Sequence, residues 1–134
     1  MGAEEMQDKS KMYVEYYHLL EMWMKNLEKG KSIQRYFDYY GYKNIALYGI
    51  GKMASHVINE LKDSETAIAY AIDQNTGINS DIDIISCNEE EFPAADVLIV
   101  TPIYDFEIIE RRMREILDVP IVSLKEVIQE AAIL

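Results

Sequence analysis

Residues 45–54 read IALYGIGKMA, and this short stretch is the strongest sequence signal for the fold of the chain. Residues 45–48 form a short apolar run, as in a buried β-strand, and residues 53–61 then place apolar side chains at helical spacing. Between strand and helix stands the sequence G-x-G-x-x-A, formed by Gly49, Gly51 and Ala54. A strand that turns through glycines directly into a helix is typical of a unit with parallel strands.

Outward from this stretch, short apolar runs continue to alternate with helical segments. We predict further strands at residues 66–72, 82–85, 96–101 and 120–122, and helices at about 104–117 and from residue 123 onward. The pattern predicts an α/β fold, a doubly wound parallel sheet of five strands in the order 3-2-1-4-5. In such a sheet a ligand crevice opens at the C-terminal ends of strands one and four.

The first 41 residues differ from the rest of the chain and are predicted to form a helical prefix. Apolar residues recur at helical spacing over residues 9–29, and Gly30 is placed to end that helix. A second short helix is expected at 32–40, before Gly41. The boundary between prefix and α/β domain is therefore predicted between residues 41 and 42.

The prefix helix is expected to be an oligomerisation element. Its apolar stripe contains more large side chains than a five-stranded domain with its own helices needs, namely Tyr13, Tyr16, Leu20, Trp23 and Leu27. Exposed apolar patches of this kind mark contacts with partners. We predict a homodimer through this helix, and the alternative is that the helix folds back onto the edge of its own sheet.

Composition excludes several classes of protein. The chain has 134 residues, 49% of them hydrophobic, and its formal net charge is −11. That charge is opposite to what nucleic acids and anionic membranes attract, so neither is expected as a partner. Because no apolar run approaches the roughly 20 residues of a membrane-spanning helix, and the acidic N-terminus lacks a signal pattern, we predict a cytoplasmic protein. One cysteine, Cys87, and two separated histidines do not suggest a metal site.

The glycine sequence, together with an acid after the second strand, predicts a nucleotide site. Gly49 permits a tight turn, Gly51 lets the backbone approach a pyrophosphate, and Ala54 lets helix and strand pack closely. Asp73 stands 22 residues after Gly51, where an acid would accept hydrogen bonds from ribose hydroxyls. The alternative is that these residues only build a strand-to-helix turn.

The neighbours of the glycines complete the predicted site. Backbone amides of Ile50, Lys52 and Met53 at the helix start would face an anion. Lys52 is not a Walker lysine, because the spacing of a phosphate loop is absent, and this disfavours an ATPase. Two alternatives stay open for Lys52, a position near a phosphate or a solvated lysine at the helix start. Thr101 and Pro102 follow the fourth strand and are expected to line the same crevice, with Thr101 donating to a ligand hydroxyl or phosphate. The alternative is that they form a loop that simply starts a helix. Residues 42–134 are thus predicted to be a Rossmann-like nucleotide-binding domain, in which no complete catalytic site is recognisable.

Residues 45–127 resemble the small Rossmann-like domains of bacterial surface-polysaccharide proteins. These include the N-terminal nucleotide-sugar-binding domain of sugar acyltransferases and domains appended to glycosyltransferases. The matching segments are IALYGIGKMASHVINEL, AYAIDQN, ADVLIVTP and VPIVSLKEVI. The resemblance implies that a nucleotide or nucleotide sugar lies against Gly49, Gly51, Lys52 and Asp73. No hexapeptide repeat follows in this sequence, so acyl transfer is not expected.

These observations predict a nucleotide-binding module that takes NAD(P) or a nucleotide sugar. Its role would be accessory to sugar-nucleotide or polysaccharide metabolism. One alternative is a small oxidoreductase or sugar-modifying enzyme whose missing catalytic groups come from a partner. Another is a ligand-free interaction domain that works through its N-terminal helix.

Overall fold

A computed structural model describes residues 3–77 and 81–134, with side chains from residue 9 onward. Residues 1–2 of the predicted prefix and residues 78–80 lie outside that description. The helices are α1 (Ala3–Glu28), α2 (Gln34–Tyr40), α3 (Lys52–Leu61), α4 (Phe106–Arg114) and α5 (Leu124–Ala131). The strands are β1 (Asn44–Tyr48), β2 (Ala67–Asp73), β3 (Ile84–Ser86), β4 (Val97–Val100) and β5 (Ile121–Ser123). In these described ranges, no helix combines the length and apolar character that crossing a bilayer requires.

The five strands form one parallel sheet in the order β3-β2-β1-β4-β5, which confirms the predicted α/β fold and strand order. β1 lies at the centre, between β2 and β4. Every residue of β4 is buried, as expected for a strand that is covered on both faces. The strand order reverses between β1 and β4, so the C-terminal ends of these two strands border a crevice.

Helices cover both faces of the sheet, as the doubly wound prediction requires. Ile45 and Leu47 of β1 pack on one side with α1, α2, α3 and α5. Ala46, which points to the opposite side, packs in a second cluster with Met113 of α4. The segment between β3 and β4 adds Phe92 to that second face. The crossover helices α3 and α4 therefore lie on opposite faces of the sheet.

Some predicted boundaries move by a few residues. The third strand was expected at 82–85 but lies at Ile84–Ser86, because its pairing with β2 keeps the C-terminal ends of the two strands level. The helix expected at 104–117 begins instead with a 3₁₀ turn, Ile103–Asp105, and α4 ends at Arg114. Ser123 caps α5, and its hydroxyl accepts the amide hydrogen of Lys125 at 3.2 Å.

The helical prefix packs onto the sheet and shares its core. Leu19 and Trp23 of α1 and Phe37 of α2 are buried in the same cluster as Ile45 and Leu47 of β1. The prefix and the α/β domain therefore bury one continuous apolar core.

A single carboxylate joins the prefix to the α/β domain. Glu60 of α3 accepts the indole N–H of Trp23 on Oε1 at 2.6 Å. Its Oε2 accepts the Ser32 hydroxyl at 2.9 Å and the Ile33 amide at 2.6 Å. The turn between α1 and α2 is thus fixed to α3 by hydrogen bonds to a charged group, which are stronger than neutral ones.

The predicted apolar stripe of α1 divides between two surfaces. Trp23 is buried within its own chain and Tyr16 is half-buried, whereas Tyr13, Leu20 and Leu27 are exposed. Part of the stripe therefore packs within its own chain, as the alternative expected, but on a face of the sheet with α5 and not on the sheet edge. A homodimer through the exposed part stays a prediction.

Replacing Glu60→Ala is expected to lower the free energy of unfolding by at least about 1.5 kcal/mol, because hydrogen bonds to a charged group are lost and the Ile33 amide is left unpaired. Urea unfolding followed by far-UV circular dichroism measures this. The control is Glu65→Ala at an exposed position, where the change should stay within about 0.5 kcal/mol. Equal effects of the two substitutions would contradict the role given to Glu60.

Candidate functional site

A cavity of about 400 Å³ lies at the C-terminal ends of β1 and β4. All eight residues predicted for the site line this cavity: Gly49, Ile50, Gly51, Lys52, Met53, Asp73, Thr101 and Pro102. The structure therefore brings together residues that are up to 53 positions apart in the sequence. The remaining lining residues, Met12, Tyr13 and Tyr16, come from α1.

Gly49 is required by the turn itself. Its φ is +91°, a left-handed conformation that favours glycine. A Cβ at this position would lie 2.7 Å from Thr101 Oγ1 and 3.0 Å from Pro102 Cδ. Both the backbone conformation and the close approach of the segment after β4 therefore exclude a side chain at residue 49.

Gly51 has no comparable structural reason to be glycine. Its backbone is extended, with φ −84° and ψ −154°, which other residues also adopt. In the described part of the chain, no heavy atom lies within 4 Å of the position that its Cβ would take, its own neighbours excepted. The space beside Gly51 therefore belongs to the cavity and would admit a ligand close to the backbone.

The N-terminus of α3 supplies hydrogen-bond donors to the cavity. Gly51 is the N-cap residue and, because it has no side chain, it provides no acceptor to the first amides of α3. The first amides of a helix have no intrahelical acceptor, and the helix dipole adds a partial positive charge there. Lys52, which is exposed, places a cation at the same point. This end of the cavity is suited to an anionic group.

Asp73 holds the glycine turn against the end of β2. Its Oδ2 accepts the Ile50 amide hydrogen at 2.9 Å, and its Oδ1 accepts the Asn75 amide hydrogen at 2.9 Å. Each oxygen keeps further acceptor capacity, so ribose hydroxyls can still donate to it. The Ile50 amide, however, is already used and is not available to a phosphate while this bond persists.

Thr101 has a different role from the one expected. Its hydroxyl donates to the Tyr48 carbonyl at 2.9 Å, and the residue is buried. A hydroxyl has one hydrogen, so in this arrangement Thr101 can accept a hydrogen bond from a ligand but cannot donate one. The hydroxyl mainly joins the ends of β1 and β4.

The contribution of α1 to the cavity was missed by the sequence analysis. Met12, Tyr13 and Tyr16 form the wall opposite the glycine turn. Burial raises the pKa of the Tyr16 hydroxyl above its ordinary value, and the negative charge of Asp105 acts in the same direction. Tyr16 is therefore a neutral hydroxyl at physiological pH. Helical spacing in the sequence indicates that these residues share a face, but not that the face covers this crevice.

A second cavity, of about 530 Å³, lies beside the first, between the 3₁₀ turn and α5. Its lining carries four carboxylates, from Glu15, Asp105, Glu107 and Glu126, and one lysine, Lys125. This cavity is acidic and disfavours a phosphate group.

The histidines and the cysteine lie outside the lining of the cavity at the glycine turn. Cys87 is buried, His56 lies against the Trp23 ring at 5.9 Å between centroids, and His18 lies against Tyr17 at 5.6 Å. Within the residues that the structure describes, no group of three or more histidine, cysteine, aspartate or glutamate side chains could hold a metal ion.

Comparisons of the chain with protein-family models, with curated proteins and with solved structures found no match. These comparisons therefore assign no family to the chain.

The two glycines are expected to respond differently to substitution by alanine. Gly49→Ala should lower the free energy of unfolding by about 1–3 kcal/mol, through backbone strain and the clash with Thr101. Gly51→Ala should cost about 1 kcal/mol or less, because alanine is a poorer N-cap than glycine but its Cβ meets open space. Urea unfolding of the two variants checks this, and a larger loss at Gly51 would show that its space is needed by the fold.

Proposed function

We propose that this chain is a nucleotide-binding module, with NAD(P) or a nucleotide sugar bound in the cavity at the glycine turn. The main support for this proposal is the open space beside Gly51, next to the N-terminus of α3 and within the same cavity as Asp73. A diphosphate would lie against the first amides of α3, near Lys52. A ribose would lie toward Asp73, whose carboxylate accepts its hydroxyls.

The lining of the cavity supports a ligand that combines apolar and polar parts. Tyr13, Tyr16 and Met12 offer apolar and aromatic surface, while Asp73 and the α3 amides offer a few polar contacts. Ligand sites commonly combine a mainly apolar lining with a small number of placed polar groups. We propose that the module serves sugar-nucleotide or polysaccharide metabolism, as the resemblance of residues 45–127 implies, and that it acts as an accessory unit.

Gly51→Val is expected to abolish binding while leaving the protein folded, because the new side chain would occupy the place of the diphosphate. A thermal-shift panel of NAD, NADP, coenzyme A and UDP-sugars identifies the ligand of the parent chain. A ligand at 100 times its dissociation constant stabilises the native state by roughly 2.7 kcal/mol. That ligand is then titrated into the variant by calorimetry.

The matched control is Asn59→Val, which places the same side chain at an exposed position of α3 outside the cavity lining. It should bind the ligand as the parent does. Equal affinity of Gly51→Val and the parent would show that the glycine turn is not the anion site, and no stabilisation by any member of the panel would count against the nucleotide proposal.

If the ligand is a nicotinamide dinucleotide, we expect NAD to bind more tightly than NADP. The Asp73 carboxylate would repel the 2′-phosphate of NADP, and no arginine follows Asp73 closely in the sequence to accommodate that phosphate. Calorimetric titration of both dinucleotides measures the preference. Tighter binding of NADP would contradict the placement of the ribose at Asp73.

A further inference from the structure

One face of α1 carries a row of exposed apolar side chains that its own domain does not cover. The row consists of Tyr13, Tyr17, Leu20, Met24 and Leu27. These positions are spaced 4, 3, 4 and 3 residues apart, the heptad spacing with which one helix packs along another. We call this set the apolar row. It lies beside the buried face of α1, which packs on α5 and the sheet.

The apolar row is large enough for a specific interface. Its side chains and the adjacent Val14 are between 38% and 65% exposed. With each contributing on the order of 100 Å², the patch reaches on the order of 600 Å². A standard interface buries about 800 Å² on each partner, so the row would supply most of that area and the side chains around it would have to supply the rest.

We propose that the apolar row docks onto the same row of a second copy of this chain, with the two α1 helices antiparallel about a twofold axis near Leu20. A twofold axis pairs a surface with itself, so one row serves both partners. The row is aromatic toward its N-terminal end and aliphatic toward its C-terminal end. In an antiparallel pair, Tyr13 and Tyr17 of one copy would contact the smaller Leu27 and Met24 of the other, respectively. An interface is filled evenly where large side chains face small ones. Parallel pairing would instead stack tyrosine on tyrosine.

The net charge also bears on the choice of partner. Two chains that each carry −11 repel one another, so their association must come from apolar burial and should strengthen with salt, which screens the repulsion. A basic partner would show the opposite salt dependence. The sign of the salt effect therefore distinguishes a second copy from an oppositely charged protein.

Tyr13 belongs to both the apolar row and the lining of the cavity at the glycine turn. In the antiparallel dimer, its outer side would contact Leu27 of the partner subunit, while its inner side lines the cavity. If the proposed nucleotide function holds, on which this step rests, ligand binding and dimerisation are linked through Tyr13. The ligand would then shift the dimer equilibrium and the dimer would shift ligand affinity by the same factor.

Sedimentation equilibrium of the full chain, at about 50 µM protein, tests the dimer without any ligand. We expect a dimer whose dissociation constant falls as salt is raised from about 0.05 to 0.5 M. The double variant Tyr17→Glu with Met24→Glu should be a folded monomer under these conditions. Its affinity for dimerisation should fall by more than about 100-fold, because the interface would have to bury unpaired carboxylates.

The control is the double variant Lys11→Gln with Lys25→Gln. It changes the net charge by the same −2 at exposed positions on another face of α1, and it should dimerise as the parent does. A parent that is monomeric at both salt concentrations, or a dimer that persists in the glutamate variant, would overturn the proposal. Because no nucleotide enters this experiment, its failure leaves the proposed function untouched.

Oxidative cross-linking tests the orientation of the two helices. Leu20→Cys should form a covalent dimer, because residue 20 faces itself across an antiparallel axis, and the native Cys87 is buried. Leu27→Cys should not cross-link to itself, since it would face Tyr13. Equally efficient cross-linking of both variants would indicate parallel helices and overturn the antiparallel arrangement.

Discussion

The close approach between Gly49 and the segment after β4 is the constraint on which the site depends. Because residue 49 has no side chain, the Thr101 hydroxyl and amide can both reach the Tyr48 carbonyl, at 2.9 and 3.0 Å. On the other side, the Gly49 amide donates to the Ile72 carbonyl at 2.8 Å. The turn is therefore held by both neighbouring strands. It leaves the sheet in a fixed direction, and this direction places the start of α3 beside the cavity.

The position of Asp73 would determine where the anionic part and the hydroxyl-bearing part of a ligand can bind in the cavity. Its carboxylate holds the Ile50 amide, so only the amides at the start of α3 remain for an anion. The cavity offers the helix N-terminus and Lys52, and close to them it offers the Asp73 carboxylate, which accepts the amide hydrogen of Ile50. A ligand that is anionic throughout would meet repulsion at Asp73, whereas a diphosphate joined to a hydroxyl-bearing sugar could place its phosphates at the helix N-terminus and its hydroxyls at the carboxylate. The geometry that stabilises the turn is thus the geometry that would orient the ligand.

The sheet and most of the cavity could be predicted because they depend on local sequence and on a general property of parallel strands. The apolar run of β4 and the glycines after β1 are local signals, and the ends of parallel strands meet at one edge, which brings Asp73 to Gly51. The wall from α1 could not be predicted. Periodicity shows that Tyr16 and Trp23 share the apolar side of a helix, but not that Trp23 meets Glu60 while Tyr16 faces the crevice. The hydrogen bond from the Thr101 hydroxyl to the Tyr48 carbonyl likewise could not be predicted, because the two residues meet only in the folded chain.

The acidity of the chain constrains both proposed associations in the same way. Most of the 24 acidic side chains lie outside the cavity at the glycine turn, yet their summed field repels an anionic ligand and a second copy alike. Long-range attraction therefore drives neither association. The proposed ligand would have to be held by amide donors and apolar contacts within the cavity, and a second copy by burial of the apolar row. Tyr13 belongs to both proposed contact surfaces, so the N-terminal half of α1 is the element through which one association would influence the other.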